Sequence, residues 1–116
     1  MAYLVYGNTY ITEVVLRAKN VFTMQSKVLI HNHGDYVGVA TNDIAKGEEV
    51  VCAFMDKKEE MRVKSKSEIP LGHKLALRAI PVNQKVVEYG GIIGIATSNI
   101  DVGEHVHTHN LRSLRL

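Results

Sequence analysis

An all-β domain of short strands is the fold class this sequence predicts, and three observations predict it. Short apolar runs rich in β-branched residues alternate with frequent turns. No convincing helical periodicity lies between Ser26 and the C-terminus. The third observation is a degenerate internal repeat. Residues 37–50 align with residues 93–106, and residues 73–86 form a weaker third copy. Each copy is a short strand, a turn and the start of another strand. Gly47, Asn83 and Gly103 share one turn position, and Gly and Asn are the residue types that tolerate positive φ. One left-handed turn residue is therefore expected three times. The unequal spacing argues against a solenoid and for a compact, pseudo-symmetric arrangement.

In chain order, residues 3–6 are a strand candidate. Ile11, Val14, Val15 and Ala18 recur at helical spacing, with Thr9 or Thr12 able to cap such a helix. Residues 1–23 read as an N-terminal extension, either foreign to the natural product or an ordinary element packed on the core, and residues 24–116 read as the domain itself. Further strands are expected at 27–30, 50–55, 60–63 and 86–89. Residues 57–67 read as the exposed end of a hairpin, with Pro70 marking re-entry into the core.

Composition narrows the function classes. A chain of 116 residues suits one domain and can bury a core without disulfide or metal. A net charge of +2 is too weak to argue for nucleic acid, and no basic stripe interleaved with aromatics exists. The single cysteine, Cys52, lies in the apolar run Val50-Val51-Cys52-Ala53-Phe54, as a buried, inert thiol would. One thiol, no secretion signal and no apolar stretch near the ~20 residues of a membrane span predict a cytoplasmic protein with no membrane partner.

Chemistry concentrates in six histidines. His105, His107 and His109 alternate and are followed by Asn110. On a strand, residues two apart share a face, so the three imidazoles are expected in a row. Neighbours in such a row are close enough to share a divalent metal, whereas the outer pair is too far apart unless the strand bends. The alternative is a solvated strand face. His73 sits between Gly72 and Lys74, which sets an imidazole beside an ammonium and suits a carboxylate-bearing substrate; for Lys74 the alternative is an exposed strand residue. His31, His33 and Asp35 read either as a second polar cluster or as a turn. Phosphate-binding glycine loops, nucleophile elbows and CxxC pairs are absent, and Gly90, Gly91 and Gly94 lack the helix a dinucleotide fingerprint needs.

Four ordered motifs carry a family resemblance: His33-Gly34-Asp35-Tyr36-Val37-Gly38-Val39-Ala40, Ile69-Pro70-Leu71-Gly72-His73-Lys74-Leu75-Ala76-Leu77, Tyr89-Gly90-Gly91-Ile92-Ile93-Gly94-Ile95-Ala96 and Gly103-Glu104-His105-Val106-His107-Thr108-His109-Asn110. Across residues 27–111 the chain resembles the SAF-type domain of altronate and galactarate dehydratases, and still more the separately encoded small subunits of the altronate dehydratase and sulfolactate sulfo-lyase group. The resemblance implies a β-clip fold. It also implies a hydro-lyase or sulfo-lyase acting on a sugar acid or a sulfonated hydroxy acid, with a separate large catalytic subunit as partner. On that mechanism His73 and Lys74 contact the substrate or its leaving group. His31, His33, Asp35, His105 and Asn110 bind substrate, and His107 and His109 hold a divalent metal (Fe, Mn or Zn). Two departures stand out: Glu88 precedes Tyr89 where members often carry Lys, and Tyr36 follows Asp35 where Asn is common. The galactarate branch lacks the alternating histidines, which places this chain nearer the altronate and sulfolactate branch. A non-catalytic sugar-acid-binding module and a homo-oligomeric assembly domain are the rival readings.

Overall fold

A computed structural model describes residues 25–114. Its strands, in chain order, are β1 (Ser26–Ile30), β2 (Val37–Ala40), β3 (Glu49–Phe54), β4 (Glu60–Lys64), β5 (Lys74–Ala76), β6 (Lys85–Glu88), β7 (Gly91–Ala96), β8 (His105–Val106) and β9 (Leu111–Ser113). No helix occurs among the described residues, so the all-β expectation holds. The strand and helix expected within residues 1–23 lie outside the described residues.

The strands form two sheets, one in the order β4-β3-β1-β2-β5-β8 and one in the order β6-β7-β9. All pairings are antiparallel except β1 with β3. Alternation along the central strands divides the interior into two cores. Leu75 of β5 enters the first, with Val28, Ile30, Val50 and Cys52. Its neighbour Ala76 enters the second, with Val37, Val86, Ala96 and Val106.

The repeat explains how the two cores are closed. Gly47, Asn83 and Gly103 have φ of 88°, 73° and 90°, as their shared turn position requires. A fourth copy joins them, because Gly72 has φ of 87°. In every copy an isoleucine precedes the left-handed residue by three positions and an apolar residue follows it by three: Ile44/Val50, Ile69/Leu75, Ile80/Val86 and Ile100/Val106. All eight side chains are at most 2% exposed, and burial of each contributes about 1.5–3 kcal/mol. The isoleucines pair across isolated antiparallel bridges, Ile44 with Ile69 in the first core and Ile80 with Ile100 in the second. The fourth copy was legible in the spacing, since Pro70 and Pro81 occupy the same place after their isoleucines.

Two expectations need correction. The hairpin end is shorter than residues 57–67, because β4 pairs with β3 along its whole length from Glu60 to Lys64. The strand carrying the alternating histidines stops at Val106, and residues 107–110 turn.

Candidate functional site

Register between β5 and β8 assembles the histidines. Lys74 lies opposite Val106 and Leu75 opposite His105. His73 therefore shares a face with Leu75, as His107 shares one with His105, and the three imidazoles converge on one side of this short ladder. Ring centroids are 4.5 Å apart for His73 and His107, 5.1 Å for His73 and His105, and 5.4 Å for His105 and His107. His73 Nδ1 lies 2.9 Å from His105 Nε2, a hydrogen-bonded imidazole pair.

The turn after Val106 is held by Asn110, which is buried. Its Oδ1 accepts from the His107 N–H at 2.9 Å, and its Nδ2 donates to the His105 carbonyl at 2.8 Å. The side-chain amide thus clamps both ends of the histidine segment. The turn also brings the exposed His109 ring to 5.4 Å from His105. Partial burial holds His105 below the usual imidazole range, and the neighbouring His73, His109 and His107 push the same way. The shift favours the neutral imidazole, the form that offers a ring-nitrogen lone pair.

On the opposite face of β5, Lys74 reaches Glu88 at the end of β6. Glu88 is 1% exposed, and neither carboxylate oxygen has a hydrogen-bond partner among the described residues. Lys74 Nζ stands 3.5 Å from Oε1, an ion-pair contact rather than a well-formed hydrogen bond, and His31 Nε2 stands 3.9 Å from Oε2. Burial pushes the Glu88 carboxyl above the usual range, while Lys74 and then His31 pull back against it.

Asp35 shapes the neighbouring turn. Tyr89 and Gly90 link β6 to β7 with φ of 58° and 72°, the paired positive values of a type I′ hairpin. The buried Asp35 carboxylate accepts the Tyr89 N–H at 3.0 Å and the Gly90 N–H at 3.1 Å, with the Asn32 N–H also at 3.1 Å. The His31 ring then stacks on Tyr89 with centroids 4.0 Å apart.

A cleft of about 520 Å³ joins the two groups, with His73, Lys74, Glu88, Tyr89, Ile93 and His107 in its walls. His33 goes elsewhere: its N–H donates to Asp56 Oδ2 at 2.8 Å, and its Nδ1 lies 2.7 Å from Lys57 Nζ. Glu88 and Tyr89 were not singled out as site residues from the sequence. An available signal was the acid two places after Val86 in an alternating strand, on the buried side.

The chain matches the altronate/galactarate dehydratase SAF domain over residues 26–114. It is 33% identical over 93 residues to (2R)-sulfolactate sulfo-lyase subunit alpha of Chromohalobacter salexigens, covering 79% of this chain and 99% of that subunit. The subunit of the same name from Paracoccus pantotrophus is 36% identical over 66 residues, covering 57% of this chain and 98% of that one. The altronate dehydratase of Bacillus subtilis is 38% identical over 90 residues, and there the chain spans 17% of the relative's length.

Proposed function

The chain belongs to the family of altronate/galactarate dehydratase SAF domains, and from that premise we propose that it serves as the small subunit of a lyase. The reaction is β-elimination from a hydroxy or sulfonated carboxylic acid, carried out with a separate large subunit. A base takes the proton α to the carboxylate, the electron pair forms the carbon–carbon double bond, and water or sulfite leaves the neighbouring carbon. The observation that carries this reading is the cleft, whose walls include both Lys74 and His73. An ammonium and an imidazole lining one cleft fit a substrate carboxylate together with a group that exchanges a proton during elimination, and such acid–base help is typically worth ~10²–10⁴ in rate.

Glu88 tunes this arrangement. Its pKa is raised by burial, and it is the acid that Lys74 contacts within this cleft. Asp35 contributes by setting the Tyr89 turn, with His31 packed on the tyrosine ring. Asn110 fixes the spacing of His105 and His107. No helix among the described residues is long and apolar enough to cross a membrane.

The test is affinity capture of the tagged protein from the cells that make it, followed by assay of the recovered complex. We expect a stoichiometric larger companion, and elimination of water or sulfite from a hydroxy acid that falls sharply with Lys74→Ala while assembly is unchanged. Recovery of the chain alone, with no turnover of sugar acids or sulfonated acids, overturns the proposal. Sugar-acid binding without turnover, with all companions present, would point to a binding module instead.

A further inference from the structure

We propose that His73, His105 and His107 together bind one divalent transition-metal ion. Each offers a ring nitrogen, and the three nitrogens lie within 4.8 Å of one another. The resemblance assigns a metal to His107 and His109, one neighbouring pair of the alternating row. The turn after Val106 and the β5–β8 register bring His73 into that position.

Three features fit the donor set to an ion. Three imidazoles without a carboxylate or thiolate suit borderline cations such as Zn²⁺, Co²⁺ or Fe²⁺ and disfavour Mg²⁺ and Ca²⁺, which require oxygen. Second, the spacing is close to what coordination needs. Two nitrogens on one tetrahedral ion at 2.0–2.1 Å lie roughly 3.3 Å apart, whereas His73 Nδ1 and His105 Nε2 are 2.9 Å apart. The ion replaces the shared proton of that pair, and a separation of a few tenths of an ångström admits it. Third, the ligands are prepositioned by bonds that owe nothing to a metal. Asn110 ties the His107 N–H to the His105 carbonyl, and the His73 N–H is held by the Pro70 carbonyl at 2.9 Å.

His73 and His107 also line the cleft. Coordination positions left by the protein are therefore accessible to a small oxygen ligand entering there, a carboxylate or a 2-hydroxycarboxylate. This inference stands on the imidazole geometry and does not depend on the lyase reading. An ion held here can be detected in the chain alone, with no enzymatic assay.

The experiment is titration of the full-length chain, freed of any affinity tag and of metal, with Co²⁺ followed by visible absorption and with Zn²⁺ followed by calorimetry. We expect one equivalent per chain and a cobalt d–d band. His105→Ala and His107→Ala should each weaken binding by more than the roughly 10–100-fold that loss of an outer-shell partner costs. His109→Ala should leave stoichiometry and affinity within about threefold of the parent chain. Because His105 is partly buried, a second readout uses the unaltered protein: Zn²⁺ should shift the imidazole proton resonances of His73, His105 and His107 and leave those of His33 in place. Absence of stoichiometric binding, binding that survives loss of both His105 and His107, or shifts centred on His109 and not His73 overturns the proposal.

Discussion

Lys74 Nζ lies 3.5 Å from Glu88 Oε1, joining the first residue of β5 to a carboxyl group that is 1% exposed at the end of β6. Burial outweighs this contact and leaves the Glu88 pKa raised above 4.5. A raised carboxyl pKa contributes stability that is complete below the unfolded-state value and is lost as pH rises through the folded-state value. Glu88→Gln removes that loss. Its thermal midpoint should match the parent below pH 4.5 and exceed it by a margin that opens above that pH and levels off once the folded-state carboxyl is ionised. Equal midpoints at every pH would show that Lys74 and His31 fully compensate the buried charge.

Asp35 presents the opposite case, since its carboxylate accepts three backbone N–H groups. Leaving a buried donor unpaired costs about 1–3 kcal/mol. Asp35→Ala should therefore lower unfolding free energy by roughly 2–4 kcal/mol, read by urea denaturation. Amide exchange at Tyr89 and Gly90 should accelerate more than at core strand positions. A uniform acceleration across the domain would deny Asp35 its local role.

The four equivalent turns are not equally tolerant. A Cβ on Gly47 meets nothing within 4 Å, whereas one on Gly103 would lie 2.1 Å from the Lys64 carbonyl oxygen. Gly47→Ala carries only the left-handed backbone penalty of roughly 1–2 kcal/mol. Gly103→Ala carries that penalty plus displacement of the chain around Lys64, and should be the more destabilising by at least about 2 kcal/mol. Paired denaturation curves decide this, and equal losses would mean that the Lys64 segment yields freely.

Cys52 is fully buried in the first core, and burial pushes its thiol up to about 12. A neutral aromatic disulfide reagent at pH 8 should leave it unmodified in the native protein over hours and modify it at once in denaturant. Rapid native labelling would mean that β3 opens readily.

Much of the fold was legible because it is written locally. β-branched alternation marked β1, β3, β4 and β6 to within about two residues. Residue type alone marked the left-handed positions Gly47, Asn83 and Gly103, since few side chains tolerate positive φ. The family motifs were equally readable, being short and in order. The site was legible only in part. His73, Lys74 and the C-terminal histidines stood out by composition, but nothing local told that His33 would turn toward Lys57 while His31 stacked on Tyr89. Nor could spacing show that the β8 strand stops after Val106 and that Asn110 folds the next residues back.

What the sequence by itself determined is most of the strand segments, the left-handed turns at Gly47, Asn83 and Gly103 and which residue types carry chemistry, because φ preferences and a two-residue period act over a few positions. Only the tertiary structure decided which of those residues meet. His73 reaches His105 across 32 residues and Asp35 reaches Tyr89 across 54. Such distant pairings follow from strand register, and register is set by the packing of two shared cores rather than by any local preference.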